Sequence, residues 1–205
     1  MGELTKPGMI LRSSRTSPFG RKVRIVAARL GLDDCMALVE PSLMDPADPL
    51  RQDNPLGKIP CLVLEDGSAV FDSAVIIDHL DRSSGGNLLP ADPAQRTRML
   101  VRQALADGLA DAAIALGAER MFRPEEHVSE RWLDHQRGKV ERALAAFVAE
   151  PPVLSPVGID AISLACALGY LEWRKPVAWR EDFPELAIWL DRFAAAVPEF
   201  GQTQA

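Results

Sequence analysis

The chain has few of the residues that organise small disulfide-linked or metal-bound domains. Of its 205 residues, three are cysteine, three histidine and one tyrosine. Cys35, Cys61 and Cys166 stand far apart, with no CxxC pair and no Cys/His spacing suited to a metal ion. A disulfide framework and a zinc module are thus excluded as organising principles, no metal is expected, and a reducing cytoplasm is the expected setting. No apolar run is long enough to cross a bilayer, and "MGELTKPGMI" has no apolar signal core, so neither membrane nor secretion is expected. Gly2 does not open a myristoylation motif, because Lys6 stands where Ser or Thr is needed. Excess positive charge is missing too. Lys and Arg number 23 against 29 Asp and Glu, a net charge of -6, which argues against nucleic acid as a partner. The short quartet "RKVR" at 21–24 reads as a solvated helix face.

What is present suits a folded protein: 47% hydrophobic and 25% charged residues, in a chain long enough for one domain or two small ones. The first part alternates strand-like and helix-like segments. "MIL" at 9–11 reads as a strand, and Pro18 opens a helix that runs to about Gly31. "ALVE" at 37–40 reads as a second strand. "PSLMDPADPLRQDNPLGK" is rich in Pro and Asp and holds at most a short helix. In "CLVLEDGSAVF" two apolar runs flank Asp66-Gly67, a pair favoured in tight hairpin turns. Asp72 and Ser73 can then cap "SAVIIDHLD", whose Ile76, Ile77 and Leu80 share one face. The order β-α-β-α-β-β-α makes a mixed sheet with helices.

"SSGGNLLPADP" at 83–93 marks a boundary, which sets domains at 8–85 and 91–205. Beyond it the pattern is helical. Leu105, Leu109, Ala112 and Leu116 form one stripe, and Trp132, Val140, Leu144 and Phe147 a second. "GIDAISLACALGYLEWR" is apolar nearly all round, as in a central buried helix, and "PELAIWLDRFAAAV" is amphipathic.

Three stretches carry chemistry: "SPFGRKVR" after the first strand, "NPLGKIPCLVLEDG" before the hairpin, and "FDS" at the next helix. In this order, and with a helical second half, they resemble the cytosolic glutathione transferase family across nearly the whole chain. The resemblance implies a thioredoxin-like N-terminal domain followed by an all-helical C-terminal domain. It also implies glutathione as co-substrate, a small electrophilic second substrate, detoxification chemistry and a homodimer.

Physical reasons accompany each stretch. A helix N-terminus offers free N–H groups and partial positive charge, which suit an anion. "SPF" resembles the tau-like classes, which implies that the Ser17 hydroxyl donates to the glutathione sulfur; Thr16 and Ser14 are rival hydroxyls, and an ordinary N-cap explains an isolated Ser-Pro as well. Pro60 accepts a cis bond and biases Ile59 toward extended backbone. In the family the corresponding proline is cis, and the residue before it pairs with the cysteinyl backbone of glutathione; alone, Pro60 need only begin a strand. Lys58 either approaches the glycyl carboxylate or faces solvent. Ser73 and the helix start are expected to hold the γ-glutamyl carboxylate, with Asp72 toward its amine.

The chain also departs from the family. Omega-like and glutaredoxin-like members carry cysteine where Ser17 stands, so mixed-disulfide chemistry is excluded there. Cys61 reads as a packed residue. The Ser/Thr-x-x-Asp box of the central helix is replaced by "GIDA". Asp107 and Asp111 either border the electrophile cleft or form a plain polar helix face. Rival functions of the same fold are a glutathione-dependent isomerase and a non-catalytic regulatory module.

Overall fold

The computed structural model describes residues 8–86 and 88–204. These fall into two compact units, one formed by residues 8–86 together with 199–204, the other by Leu88–Pro198.

The first unit runs β1 (Met9–Arg12), α1 (Pro18–Arg29), a 3-10 turn, β2 (Met36–Val39), α2 (Leu50–Asp53), β3 (Cys61–Val63), β4 (Ala69–Val70) and α3 (Ser73–Ser83). The sheet order is β2-β1-β3-β4, with β1 and β2 parallel and the other pairs antiparallel. This is the expected thioredoxin-like mixed sheet. Pro18 begins α1 because its missing N–H costs nothing in the first turn, and Val23, Ile25, Val26 and Ala27 bury its inner face. Gly31, at φ 70°, ends the helix, and the Leu32 N–H then reaches back to the Ala27 carbonyl at 2.8 Å. The hairpin turn follows the Asp-Gly pair. Gly67 takes φ 84°, and Asp66 Oδ1 accepts from the Ser68 N–H and hydroxyl at 2.9 and 2.6 Å.

One expectation is corrected here. "RKVR" is not a solvated face: Arg21 and Lys22 are only 9% and 1% exposed. Their burial is possible because Arg21 finds acceptors on residues 199–204, while the Lys22 ammonium lies 5.6 Å from the Phe19 ring centre.

The second unit is helical: α4 (Pro93–Phe122), α5 (Glu130–Ala149), α6 (Ile159–Arg174), α7 (Trp179–Asp182) and α8 (Pro184–Ala196). A short final helix, α9 (Pro198–Gln202), follows. Side-chain caps open α4 and α5, where Asp92 accepts from the Gln95 N–H at 2.8 Å and Ser129 from the Trp132 N–H at 3.3 Å. Every residue from Ile159 to Leu168 is buried, as expected of a central helix. The stripe on α4 is rotated from the expected one. Its buried face centres on Ala106, Ala110 and Ala113, so at 100° per residue Leu105 falls at the edge and is 37% exposed. Trp132 likewise lies outside the core at 44% exposure, while Val140, Leu144 and Phe147 are buried.

The "GIDA" departure has a steric and an electrostatic explanation. A Cβ on Gly158 would stand 2.6 Å from Met99 Cε and 2.8 Å from Asp160 Oδ1, so a Ser or Thr cap would require the ends of both side chains to shift. Asp160 takes over part of the work by accepting from the Ala161 N–H at 2.9 Å. Its other oxygen accepts from Arg102 Nε at 3.0 Å, and Arg102 also donates to the Glu150 carbonyl at 2.6 Å. One guanidinium thereby ties α4 to the start of α6 and the end of α5. Arg102→Ala should destabilise the protein by at least about 3 kcal/mol, since it leaves a buried carboxylate without its counter-charge. Urea unfolding measures this; a loss below 1 kcal/mol, about the value of a surface pair, would show that the link is dispensable.

Candidate functional site

Three stretches far apart in sequence leave one end of the sheet together. In the antiparallel register of β1 and β3, Arg12 stands opposite Cys61. The loop from β1 to α1, with Ser17, therefore departs beside the Ile59-Pro60 segment that enters β3. Leu62 in turn stands opposite Val70, the last residue of β4, so Asp72 and Ser73 leave at the same end. The register thus brings together Ser17, Ile59, Asp72 and Ser73.

Ser17 is half-buried and caps α1, its Oγ accepting from the Gly20 N–H at 3.1 Å. A hydroxyl has two acceptor lone pairs and one donor, so capping leaves its proton available to a further acceptor. The first turn of α1 contains no acidic side chain to oppose an anion. Ser14 and Thr16, the rival hydroxyls, lie 3.3 Å from one another. Ser13 is fully buried beneath the turn, and a Cβ on Gly20 would fall 1.8 Å from its Oγ. Glycine at position 20 therefore lets the serine-rich loop close on the helix.

The Ile59-Pro60 peptide is cis. Among the described residues, the Ile59 N–H and carbonyl have no hydrogen-bond partner, so both are open to an extended peptide. The Lys58 side chain is exposed. What holds this loop is Asn54, only 2% exposed. Its Nδ2 donates to the Lys58 carbonyl at 2.8 Å, and its Oδ1 accepts from the Leu56 N–H at 3.1 Å. Gly57 completes the turn at φ 61°. Sequence reasoning passed over Asn54, although an Asn before Pro with a Gly three residues later is a turn signature. It also passed over Arg12, which pairs with Asp53 at this sheet end.

At α3 the roles of two neighbours separate. Exposed Asp72 is the cap, accepting from the Ala74 N–H at 3.0 Å. Ser73, 3% exposed, is the first helical residue and makes no side-chain hydrogen bond among the described residues. Its hydroxyl and N–H remain available beside the positive helix end. The Phe71-Asp72 peptide is also cis. Asp107 and Asp111 lie one turn apart on α4 in the other unit.

Cys61 is fully buried, and burial, reinforced by the nearby Asp53 charge, pushes its thiol up to about 11. It is a packed residue. Among the described residues no group of three or more His, Cys, Asp or Glu is placed to hold a metal, and no helix is long and apolar enough to cross a membrane.

Residues 16–83 match the family model for the N-terminal domain of glutathione S-transferases. A curated Escherichia coli K12 relative, described as an uncharacterized GST-like protein, YibF, is 34% identical over 184 residues, spanning 87% of this chain and 90% of that one. A crystal structure of a glutathione transferase family member from Pseudomonas fluorescens Pf-5, with bound glutathione, is 42% identical with a TM-score of 0.89, covering 96% of this chain and 98% of that one. A glutathione S-transferase from Methylobacillus flagellatus, also with glutathione bound, is 37% identical at TM-score 0.84, with the same coverage. The chain belongs to the glutathione transferase family.

Two outcomes test this description. Asn54→Ala should lower stability by about 1–3 kcal/mol, because it leaves the Lys58 carbonyl and Leu56 N–H without their partner. A stability unchanged in denaturant titration would show that the 54–60 loop holds itself. In native protein at pH 8, three units below the Cys61 value of about 11, alkylation should label exposed Cys35 and spare Cys61. Mass spectrometry of the peptides distinguishes the sites, and rapid Cys61 labelling would contradict its burial.

Proposed function

We propose that this protein is a glutathione transferase that binds glutathione across the end of its sheet and activates the thiol as thiolate for attack on a small electrophile. In this reading the first unit is the glutathione-binding domain, and the protein works as a cytoplasmic homodimer. The observation that carries it is the strand register, which gathers a donor hydroxyl, the Ile59 backbone, without a partner among the described residues, and a helix start at one end of the sheet. Support comes also from the relatives crystallised with glutathione.

Each residue has a role that its chemistry suits. Ser17 donates its free proton to the sulfur, as in the tau-like classes, while its lone pair keeps the cap. Ile59 pairs through its backbone with the cysteinyl residue, by the strand-like pairing general to peptide recognition. Ser73 holds the γ-glutamyl carboxylate, Asp72 faces the amine, and Lys58 reaches the glycyl carboxylate. A free thiol titrates near about 8.5. A hydrogen bond to a charged acceptor is worth about 1.5–3 kcal/mol and a helix end about 0.3–1 kcal/mol. Together they lower the thiol pKa by on the order of one to three units, and a shift of more than about 1.5 units makes thiolate the main form at pH 7. Because the pKa is lowered, the activated form persists above that value and is lost as pH falls through it.

Retention on immobilised glutathione, followed by thiolate absorbance of the bound tripeptide against pH, tests the proposal. Ser17→Ala should raise the bound thiol pKa by on the order of one unit or more while leaving the fold intact. An unchanged value would transfer the role to Thr16, Ser14 or the backbone. Ser73→Ala should weaken glutathione binding about ten- to a hundredfold with little change in kcat, since its contact is made equally in ground and transition states. Calorimetry showing wild-type affinity in a folded Ser73→Ala protein would remove the γ-glutamyl assignment. A protein that binds glutathione but never forms thiolate would instead be a non-catalytic member.

A further inference from the structure

Arg21 and Arg24 of α1 are expected to meet water, yet they meet residues 199–204 of the same compact unit. Arg21 donates from Nη2 to the Phe200 carbonyl at 2.6 Å and from Nε to Thr203 Oγ1 at 3.3 Å. Its guanidinium also lies over the Phe200 ring, 3.9 Å from the centroid. Arg24 donates to the Thr203 carbonyl at 3.2 Å, and Arg29 faces Glu199 at 3.8 Å. Phe200 and Thr203 are 8% and 6% exposed. The segment is thus a strap anchored along α1 rather than a loose end.

The anchoring is strongest where α1 begins. At the far end, Arg29 Nε and Glu199 Oε2 are buried without a hydrogen bond. At the near end, the Arg21 fork is matched by a carbonyl, a hydroxyl and an aromatic face. Arg21 is also the residue whose backbone N–H closes the first turn, donating to the Ser17 carbonyl at 2.9 Å. Its side chain and its backbone therefore connect the strap directly to the cap.

We infer that residues 199–204 hold the first turn of α1, and so set the position of the Ser17 hydroxyl, with Arg21 as the positioning residue. The consequence for chemistry rests on Ser17 being the thiol's hydrogen-bond donor. First turns open easily, because their N–H groups rely on the cap alone. A buried guanidinium deprived of its acceptors turns toward water and carries the turn with it. Displacement of a donor by about an ångström is enough to lose its effect on a reacting group.

The test uses the full chain with Arg21→Lys, which keeps the charge but not the planar fork, and Thr203→Val, which keeps the shape but not the hydroxyl. Thr203→Ser serves as the conservative rescue. In glutathione-free protein, amide exchange at Gly20 and Arg21 should quicken about tenfold or more in the first two variants, with exchange in α3 unchanged. Thr203→Ser should retain wild-type protection. In the glutathione complex, the same two variants should raise the bound thiol pKa by on the order of half a unit, with glutathione affinity altered less than about threefold. Wild-type exchange at these amides in folded Thr203→Val would overturn the strap. Quickened exchange with an unmoved thiol pKa would overturn its role in positioning Ser17. If wild-type protein forms no bound thiolate, the reading of Ser17 fails instead, and the exchange experiment still decides whether the strap holds the turn.

Discussion

The candidate site depends on one constraint, the pairing of β3 with both β1 and β4. Arg12 opposite Cys61 and Leu62 opposite Val70 decide which loops emerge side by side. A slip of one residue would turn alternate side chains to the other face, exposing Leu11 and Leu62, both fully buried. Core burial therefore enforces the register, and the register places the loops of the candidate site. Hydrophobic packing and site geometry are two consequences of the same pairing.

Helix starts provide the chemistry at that edge. An α-helix leaves its first N–H groups without internal partners, and a cap satisfies only some of them. At α1 the cap is a neutral hydroxyl, which accepts from Gly20 and still has a proton to give. At α3 the capping work falls to Asp72, and among the described residues the neighbouring Ser73 hydroxyl has no hydrogen-bond partner. Capping and ligand binding therefore do not compete at either helix. The loop between them is shaped by buried Asn54, whose amide holds one carbonyl and one N–H, while the Ile59 backbone has no partner among the described residues.

Buried polar groups organise both units. Arg102 joins three helices through Asp160 and the end of α5, and Arg21 joins α1 to the segment that follows α8. Each guanidinium is tolerated inside because several acceptors meet its planar fork, which a lysine could not satisfy in the same geometry. Such groups specify which surfaces meet, something apolar contacts do only loosely.

Much of this was legible in the sequence. Helix and strand order followed from periodicity, from Pro18 and Gly31 at the ends of α1, and from Asp66-Gly67 in the hairpin. These are local signals, because dihedral preferences and capping act within a few residues. The order of the three stretches pointed to the family, and among the described residues Ser17, Ile59 and Ser73 keep unused hydrogen-bonding capacity at one end of the sheet. Other features depended on partners distant in sequence. Arg21 looked like surface charge because nothing within a few residues says that residues 199–204 will cover it. Leu105 and Trp132 looked like core because the hydrophobic stripe does not reveal which arc of a helix its neighbours occupy. The replacement of the box by "GIDA" likewise says nothing locally of Met99, whose methyl end lies where a side chain at 158 would begin. Sequence by itself determined the elements and the chemistry they can carry. Only the tertiary structure decided which charges are buried, because burial is set by what packs against a residue and not by the residue alone.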